Sequence, residues 1–390
     1  MKHILVIGGK DHTYMRMIDM GFRFSAVQSE VLVSGYQKQN ASNLIVADYT
    51  KLELFRELVI QTHLRDPFDF VVSFSEFSQE AASEIALDLE IPTNCNRSSI
   101  ANTRDKYLMR TLLEESNVAT VNFSLIESLD QLETFFEENN RQVIVKPASG
   151  AGSKGVFYLD KKGDAAKALS YCLSANYGAV LAEAYVGGRE YSVETISRQG
   201  VHELVAITEK STTGPPNFIE TGHCMPADIN PLDSEKIFKV VEEVLLIVEH
   251  QFGPAHTEVK VLSGQVFVIE TQLRFGGDQI WEMVLGVTGV DLVIETLSEL
   301  TGLKRLPRLP KFKSMGIHFL TNLICENEIR DLVSQFSLQN NLIRLQLEKR
   351  KLITKPQHSG ERLGYLLFGF DSVDGTKTLA PLLKALEKGL

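Results

Sequence analysis

Cysteine is scarce in this chain: Cys95, Cys172, Cys224 and Cys325 are the only four in 390 residues, and they lie far apart with no CxxC pair. That spacing excludes a disulfide framework and the usual structural zinc sites, and it suits reduced thiols in the cytosol. Positive charge is also short, with 40 Lys and Arg against 50 Asp and Glu and a net charge of −10. A broad basic surface that binds nucleic acid by displacing counterions is therefore not expected. No segment approaches the roughly twenty consecutive apolar residues of a membrane span. The opening MKHILVIGGKDH has only a short apolar run and no small-residue cleavage pattern, so it reads as a first strand and not as a signal peptide. Internal repeats and low-complexity segments are absent. What remains, 44% hydrophobic and 23% charged residues over a length sufficient for two or three domains, is ordinary for a globular protein.

The first hundred residues alternate strand and helix signals. HILVIG, SAVQSEVLVS, NLIVAD and FDFVVSF read as strands, and KLELFRELVIQTHL and SQEAASEIALDLE as amphipathic helices, the pattern of a doubly wound parallel sheet. Gly8-Gly9 follow the first strand, but GGKDHTY is not GxGxxG, and a tight turn accounts for it. Pro92 and the polar run Thr93 to Ser99 mark a boundary, after which a helix is expected from near Ile100. A second break falls at KRLPRLPKFK. Beyond it MGIHFLTNLI, LIRLQLEKR and LGYLLFGFDS read as strands and TLAPLLKALEKGL as a closing helix. The expected organisation is an N-terminal Rossmann-like domain over 1–100, a central domain over 101–305 and a C-terminal β-rich domain over 306–390.

Chemistry concentrates in the middle. HTEVKVL and QVFVIETQL flank Ser263-Gly264, which has hairpin-turn chemistry, so Glu258 and Glu270 are expected to face each other across a hairpin. Two carboxylates so close repel, and a divalent cation relieves them; oxygen-only ligands favour Mg²⁺ shared with phosphate. A solvated hairpin with exposed acids is the alternative. Arg274 follows, then Gly276-Gly277, where backbone can approach an anion. Upstream, Val143-Ile144-Val145 deliver Lys146 beside the loop SGAGSKG, Ser149 to Gly155. Backbone amides and small hydroxyls there could cradle phosphate, although the loop is not GxxxxGK[ST] and a plain β-turn has the same composition. Lys106 and Arg110 are four apart on a helical stretch, by default a solvated cationic face. In AVLAEAYVGGREYSVETI an apolar strand ends at Glu183, passes Tyr185-Val186 and resumes at Glu190.

Taken in chain order, Lys106, Lys146 with its glycine loop, Glu183 with Glu190, and Glu258/Glu270 with Arg274 resemble the ATP-grasp superfamily over roughly residues 101 to 300. The resemblance implies an α/β fold with a lid over about 118–185 and an antiparallel C-terminal part. It assigns Lys106, Lys146, Ser149, Gly150, Gly152, Ser153 and Gly155 to ATP phosphates, Glu183, Tyr185 and Val186 to adenine, and Glu190 to ribose. Mg²⁺, or Mn²⁺, would sit on Glu258, Glu270 and Gln272, the last standing where an asparagine is usual. Within the superfamily the chain is most similar to L-amino-acid ligases, because NFIETGHCMPA carries Glu220 and His223 as their substrate element does. Substrate would then meet Glu220, His223, Arg274, Gly276 and Gly277, with Arg274, Lys146 and Ser153 in catalytic roles.

The implied reaction is ADP-forming: ATP activates an amino-acid carboxylate as an acyl phosphate, and an amine acceptor displaces phosphate. Other readings stay open. The acceptor could be the thiol of a carrier protein docked at KRLPRLPKFK; the enzyme could be of purine-pathway or carboxylase type; or the chain could be a non-catalytic ATP-binding regulator. The expected partners are small molecules, with no nucleic acid and no membrane, and a homodimer is common in the superfamily.

Overall fold

HILVI becomes a strand buried on both faces because every residue in it is apolar or, like His3, internally hydrogen-bonded. Four parallel strands, β1 (His3–Ile7), β2 (Arg23–Gln28), β3 (Leu44–Val46) and β4 (Phe70–Val72), form a sheet in the order β3-β2-β1-β4. Alternate residues of β1 serve opposite faces: Ile4 and Val6 pack with Tyr14 and Met17 of the helix Asp11–Asp19, and Leu5 and Ile7 with Val59 and Ile85 of the helices Arg56–Arg65 and Gln79–Leu89. The expected strand SAVQSEVLVS is shorter than its apolar pattern suggests. The chain leaves the sheet after Gln28 and makes one 3₁₀ turn at Glu30–Leu32, with Val31 exposed.

This computed structural model describes residues 1–118, 120–150, 152–322, 324–348 and 356–388. Ala119 and Ala151 of the expected lid, Leu323, Lys349 and Arg350 of the expected strands, and 389–390 of the closing helix lie outside the described residues.

The helix expected near Ile100 is two helices. Asn96 caps Arg97–Arg104 through the Ser99 amide, and Asp105 both ends it and caps Lys106–Glu115 through the Tyr107 and Leu108 amides. Next comes a small antiparallel sheet of β5 (Phe123–Ile126), β6 (Val143–Pro147), β7 (Phe157–Leu159) and β8 (Val180–Ala184), ordered β5-β8-β6-β7. It has its own core, in which Leu132, Phe136, Ala168 and Cys172 from two helices cover Val143 and Val145.

The largest sheet is antiparallel: β9 (Arg189–Arg198), β10 (Val201–Thr212), β11 (Glu220–Met225), β12 (Phe252–Leu262), β13 (Gln265–Gln272), β14 (Ser314–Leu320), β15 (Leu342–Leu347) and β16 (Gly364–Phe370), ordered β13-β12-β9-β10-β11-β14-β16-β15. The C-terminal strands thus make no sheet of their own. They extend the central one, because β11 offers β14 an unpaired edge and Gly222 lets the Ile317 carbonyl approach where a Cβ would lie 2.7 Å from it. Between β12 and β13, Ser263 and Gly264 both take positive φ, 52° and 77°, as a tight hairpin turn requires.

Arg110 joins these units. Instead of lying on a solvated face it is fully buried, donating to Glu183 of β8 (2.8 Å) and to the Val268 (2.6 Å) and Ile269 (2.8 Å) carbonyls of β13. Replacing it by methionine leaves a buried carboxylate short of a partner. Arg110→Met is expected to destabilise the fold by about 3–5 kcal/mol, read as a lower urea midpoint at pH 7; an unchanged midpoint would show that Glu183 needs no guanidinium.

Candidate active site

A cavity of about 460 Å³ opens between the β5–β8 sheet and the large antiparallel sheet. Lys106, Lys146, Ser149, Gly150, Gly152, Ser153, Glu183, Tyr185, Val186, Glu190, Glu220, His223, Glu258, Glu270, Gln272, Arg274 and Gly277 all line it. Two of the residues expected at the site stand back from its wall. Gly155 is a turn residue (φ 75°) whose Cβ would strike Ala175 and Pro147. Gly276 supports the wall from behind, its amide donating to Glu194 (3.1 Å).

One end combines phosphate-binding features with an apolar slot. The loop after β6 has positive φ at Gly150 (106°), Gly152 (71°), Ser153 (59°) and Gly155 (75°), a run of left-handed backbone of the kind from which anion nests are built. Lys106 bridges loop and hairpin, donating to the Gly150 carbonyl (2.9 Å) and lying 3.4 Å from Glu270. Beside it Tyr185 packs on Tyr158 and Phe218, with the Lys260 ammonium over the Tyr185 and Phe218 rings at 5.2 and 5.6 Å. Such a pocket suits a heteroaromatic ring.

Glu183 lies at the cavity wall among cations. Its carboxylate is buried between Lys146 (2.7 Å) and Arg110 (2.8 Å). Burial alone would raise its pKa, but the two cations hold it down at about 2. Lys146 is lowered by burial and by its cationic neighbours, against the pull of Glu183. Glu190 likewise faces Lys210 (3.1 Å) and Lys260 (3.6 Å) at the cavity wall.

Glu258 and Glu270 are direct cross-strand partners in the β12–β13 hairpin. Each has a lysine: Lys210 contacts Glu258 (2.5 Å) as Lys106 approaches Glu270. Burial pushes the Glu258 carboxyl up, yet Lys210 and His256 together take it well below the usual range. Lys210 rises despite burial because Glu258, Glu190 and Glu220 surround it. Whether this hairpin suits Mg²⁺ depends on its donors. Two carboxylates face one cavity, and Gln272, whose Nε2 is 2.8 Å from Glu270, brings an amide on a longer arm than asparagine. Among the described residues no three His, Cys, Asp or Glu side chains make a closed metal cage. The donor set therefore fits a hard cation that takes the rest of its shell from phosphate and water.

At the far end, Glu220 and His223 on β11 meet residues not anticipated from the sequence: Lys210, Asp278, Ser359 and Arg362. Ser359 hydrogen-bonds Glu220, Arg362 donates to both Asp278 oxygens (2.6 and 2.8 Å), and His223 Nε2 is 3.8 Å from Asp278. Burial lowers the His223 pKa against its neighbour Asp278. Arg274 is held toward the parallel-sheet domain by Glu76 (2.9 Å) while still lining the cavity. Within KRLPRLPKFK, Arg308 pairs with Glu203 (2.6 Å) and Glu295 (3.3 Å), and Arg305 with Glu295 (3.7 Å). Both arginines are thus committed to the protein's own acids, which weakens the segment as a docking patch.

Burial, helped by Asp278 and Glu258 and opposed by Lys210 and Arg362, raises Glu220 to about 7 from 4.5. The folded pKa lies above the unfolded one, so the stabilisation is fully present below about 4.5 and is lost as pH rises through about 7. Thermal unfolding of Glu220→Gln should accordingly gain on wild type across that window. A constant difference between the two would contradict a buried, protonatable Glu220.

Residues 139–282 match the ATP-grasp domain. The L-arginine-specific L-amino acid ligase of Bacillus subtilis is 23% identical over 249 residues, 62% of this chain and 59% of that protein, so the match leaves much of the relative uncovered. Among solved structures, an L-amino acid ligase from Bacillus licheniformis superposes with a TM-score of 0.81 at 21% identity, covering 98% of this chain and 97% of that one. A carboxyaminoimidazole ribonucleotide synthase from Aspergillus clavatus, complexed with ATP, gives 0.77 at 14% identity, covering 99% and 98%. With its fold and its central segment in agreement, residues 139–282 carry an ATP-grasp domain, and L-amino acid ligases are among the proteins the chain is similar to.

Proposed function

We propose that this chain is an ADP-forming ligase that joins the carboxylate of an amino acid to an amine. The observation that carries the reading is the single cavity in which a phosphate-binding end, with Lys106, Lys146 and the glycine loop, runs into an end bearing both acidic and guanidinium groups, Glu220, Asp278 and Arg362. A zwitterion needs both signs of charge, and bicarbonate or formate does not. The names of the similar ligases support the same choice.

A carboxylate resists attack until its oxygen becomes a leaving group. In the proposed sequence a substrate carboxylate oxygen bonds to the γ-phosphorus of ATP, the bond to the β-phosphate oxygen breaks, and ADP leaves. Lys146, fixed by Glu183, and Lys106 offset the charge that shifts toward ADP. Glu258, Glu270 and Gln272 would hold Mg²⁺, which supplies Lewis-acid stabilisation to the phosphates. An amine nitrogen then bonds to the acyl carbon, the carbon–oxygen bond to phosphate breaks, and the amine proton passes to a nearby base. Glu220, His223 and Asp278 surround the place where that proton is lost. Arg274 would stabilise the tetrahedral oxyanion from the loop beside β13. Adenine would lie against Tyr185, Val186 and Phe218, and Glu190 would reach the ribose. Closure of the β5–β8 unit over the phosphates would exclude water, the competing nucleophile.

Glu270→Gln should lower amino-acid-stimulated ADP release by about 100-fold or more, since losing a metal acid removes several kcal/mol of transition-state stabilisation. A coupled ADP assay, run beside a thermal melt to confirm folding, reads this directly, and full activity would refute the assignment. Screening single amino acids, amino-acid pairs and thiol acceptors by phosphate release and mass spectrometry should return an amide product. A thioester without amide would establish the carrier-protein reaction instead, and no stimulation by any carboxylate would favour a regulator.

A further inference from the structure

We propose that Arg362 binds the α-carboxylate of the acceptor amino acid by exchanging it for Asp278, so that the Arg362–Asp278 pair forms an acceptor subsite; this rests on the ligase reading above. When two amino acids are joined, each brings a carboxylate, and only one must reach the phosphorylating end. The other has to be neutralised elsewhere as it leaves water, because an unpaired buried charge costs several kcal/mol. Most cations along the wall are already committed. Lys146 belongs to Glu183, Lys106 to Gly150 and Glu270, and Lys210 is shared among Glu258, Glu190 and Glu220. Arg274 is tied to Glu76 and sits beside the metal hairpin, suited to the reacting carbonyl.

Arg362 differs in geometry and place. It is on the C-terminal segment that Ser359 ties to Glu220, and its guanidinium lies 3.8 Å over the Phe319 ring. Its Nε is spent on the Ser359 carbonyl (2.7 Å), so both terminal nitrogens point together at one carboxylate. That fork matches an α-carboxylate as well as it matches Asp278. Arg362 is well covered, with 14% of its side chain exposed, whereas Asp278 keeps 32%. The acid can therefore swing off without leaving solvent and offer itself to the acceptor's ammonium. In its present position Asp278 stands 3.8 Å from His223, so an ammonium held by the acid is brought near an imidazole that can take the proton the amine must lose. Ser359, through Glu220, fastens the segment bearing Arg362 to β11.

The test compares acceptors that differ only in the carboxylate. For each productive pair, kcat/KM is measured with the acceptor as free acid and as carboxamide, in wild type, Arg362→Gln, Arg362→Lys and Asp278→Asn. Wild type should prefer the acid by about 10- to 100-fold, the worth of charge-assisted hydrogen bonds. Arg362→Gln should bring acid and amide to near parity, and Arg362→Lys should recover part of the preference. Asp278→Asn should lower both substrates together and keep their ratio, since both carry the ammonium; it also serves if Arg362→Gln does not fold. Parallel losses in Arg362→Gln with the ratio preserved, or a collapsed ratio in Asp278→Asn, would overturn the proposal. Should wild type form no amide with any pair, the ligase reading fails. Equilibrium dialysis of the common amino acids and their carboxamides then decides on Arg362 by the same acid-to-amide ratio, and equal binding of both forms by wild type rejects the subsite.

Discussion

Charge compensation away from water is the constraint from which the rest of this structure follows. Glu258 and Glu270 stand opposite each other on a hairpin whose register leaves them no choice, because a slip by one residue would send both to the other face. Left alone they would repel or protonate. Instead Lys210 reaches Glu258 from β10 and Lys106 reaches Glu270 from a helix start, while His256, held by Glu194 at 2.5 Å, flanks Glu258 from two residues upstream. Burial lowers a histidine, yet Glu194 lifts His256 to about 9, so a cation sits behind the acid. The consequence is a Glu258 that stays ionised in a nearly dry setting.

A second network does the same for Lys146. Arg110 and Lys146 share Glu183, so two positive charges are buried against one negative, with two backbone carbonyls of β13 and the Thr120 hydroxyl accepting further guanidinium protons. This cluster bridges three units: a helix beside the central sheet, the β5–β8 unit, and the hairpin that bears Glu270. The lysine assigned to phosphate is therefore registered against the acids assigned to the metal by hydrogen bonds from a single buried side chain, and a shift of the β5–β8 unit cannot move one without straining the other.

Much of this was legible in the sequence, and the parts that were not share a cause. Strand and hairpin assignments rested on local patterning, and the hairpin from Phe252 to Gln272 formed with the expected turn and register. The glycine loop and the two lysines were equally local signals. The ion pair of Glu183 was not legible because its partner Arg110 lies 73 residues away and looks, by helical spacing, like a solvated cation. Lys210, Asp278 and Arg362 carry no local motif; they become a site only when β11 and the C-terminal strands join one sheet. The C-terminal strands themselves were seen, but periodicity cannot say which edge a strand will find. A lysine inside the strand sequence LVAITEKST was the one available hint, since a charge in the middle of a long strand needs a buried partner.

That placement of the C-terminal strands explains why the chain past residue 305 matters to a site whose motifs end near residue 280. Extending the sheet by β14, β16 and β15 carries the turn at Ser359–Glu361 over β11, which puts Arg362 against Phe319 and Asp278. The cavity thus acquires a wall rich in guanidinium and carboxylate opposite a wall rich in lysine and backbone amide. The carboxylates of Glu258, Glu270 and Asp278 already hold a protein cation each, so a charged ligand entering here would replace one ion pair with another. Exchange of that kind avoids most of the desolvation cost that a new buried charge would incur, and it makes recognition depend on matching both signs at the right separation.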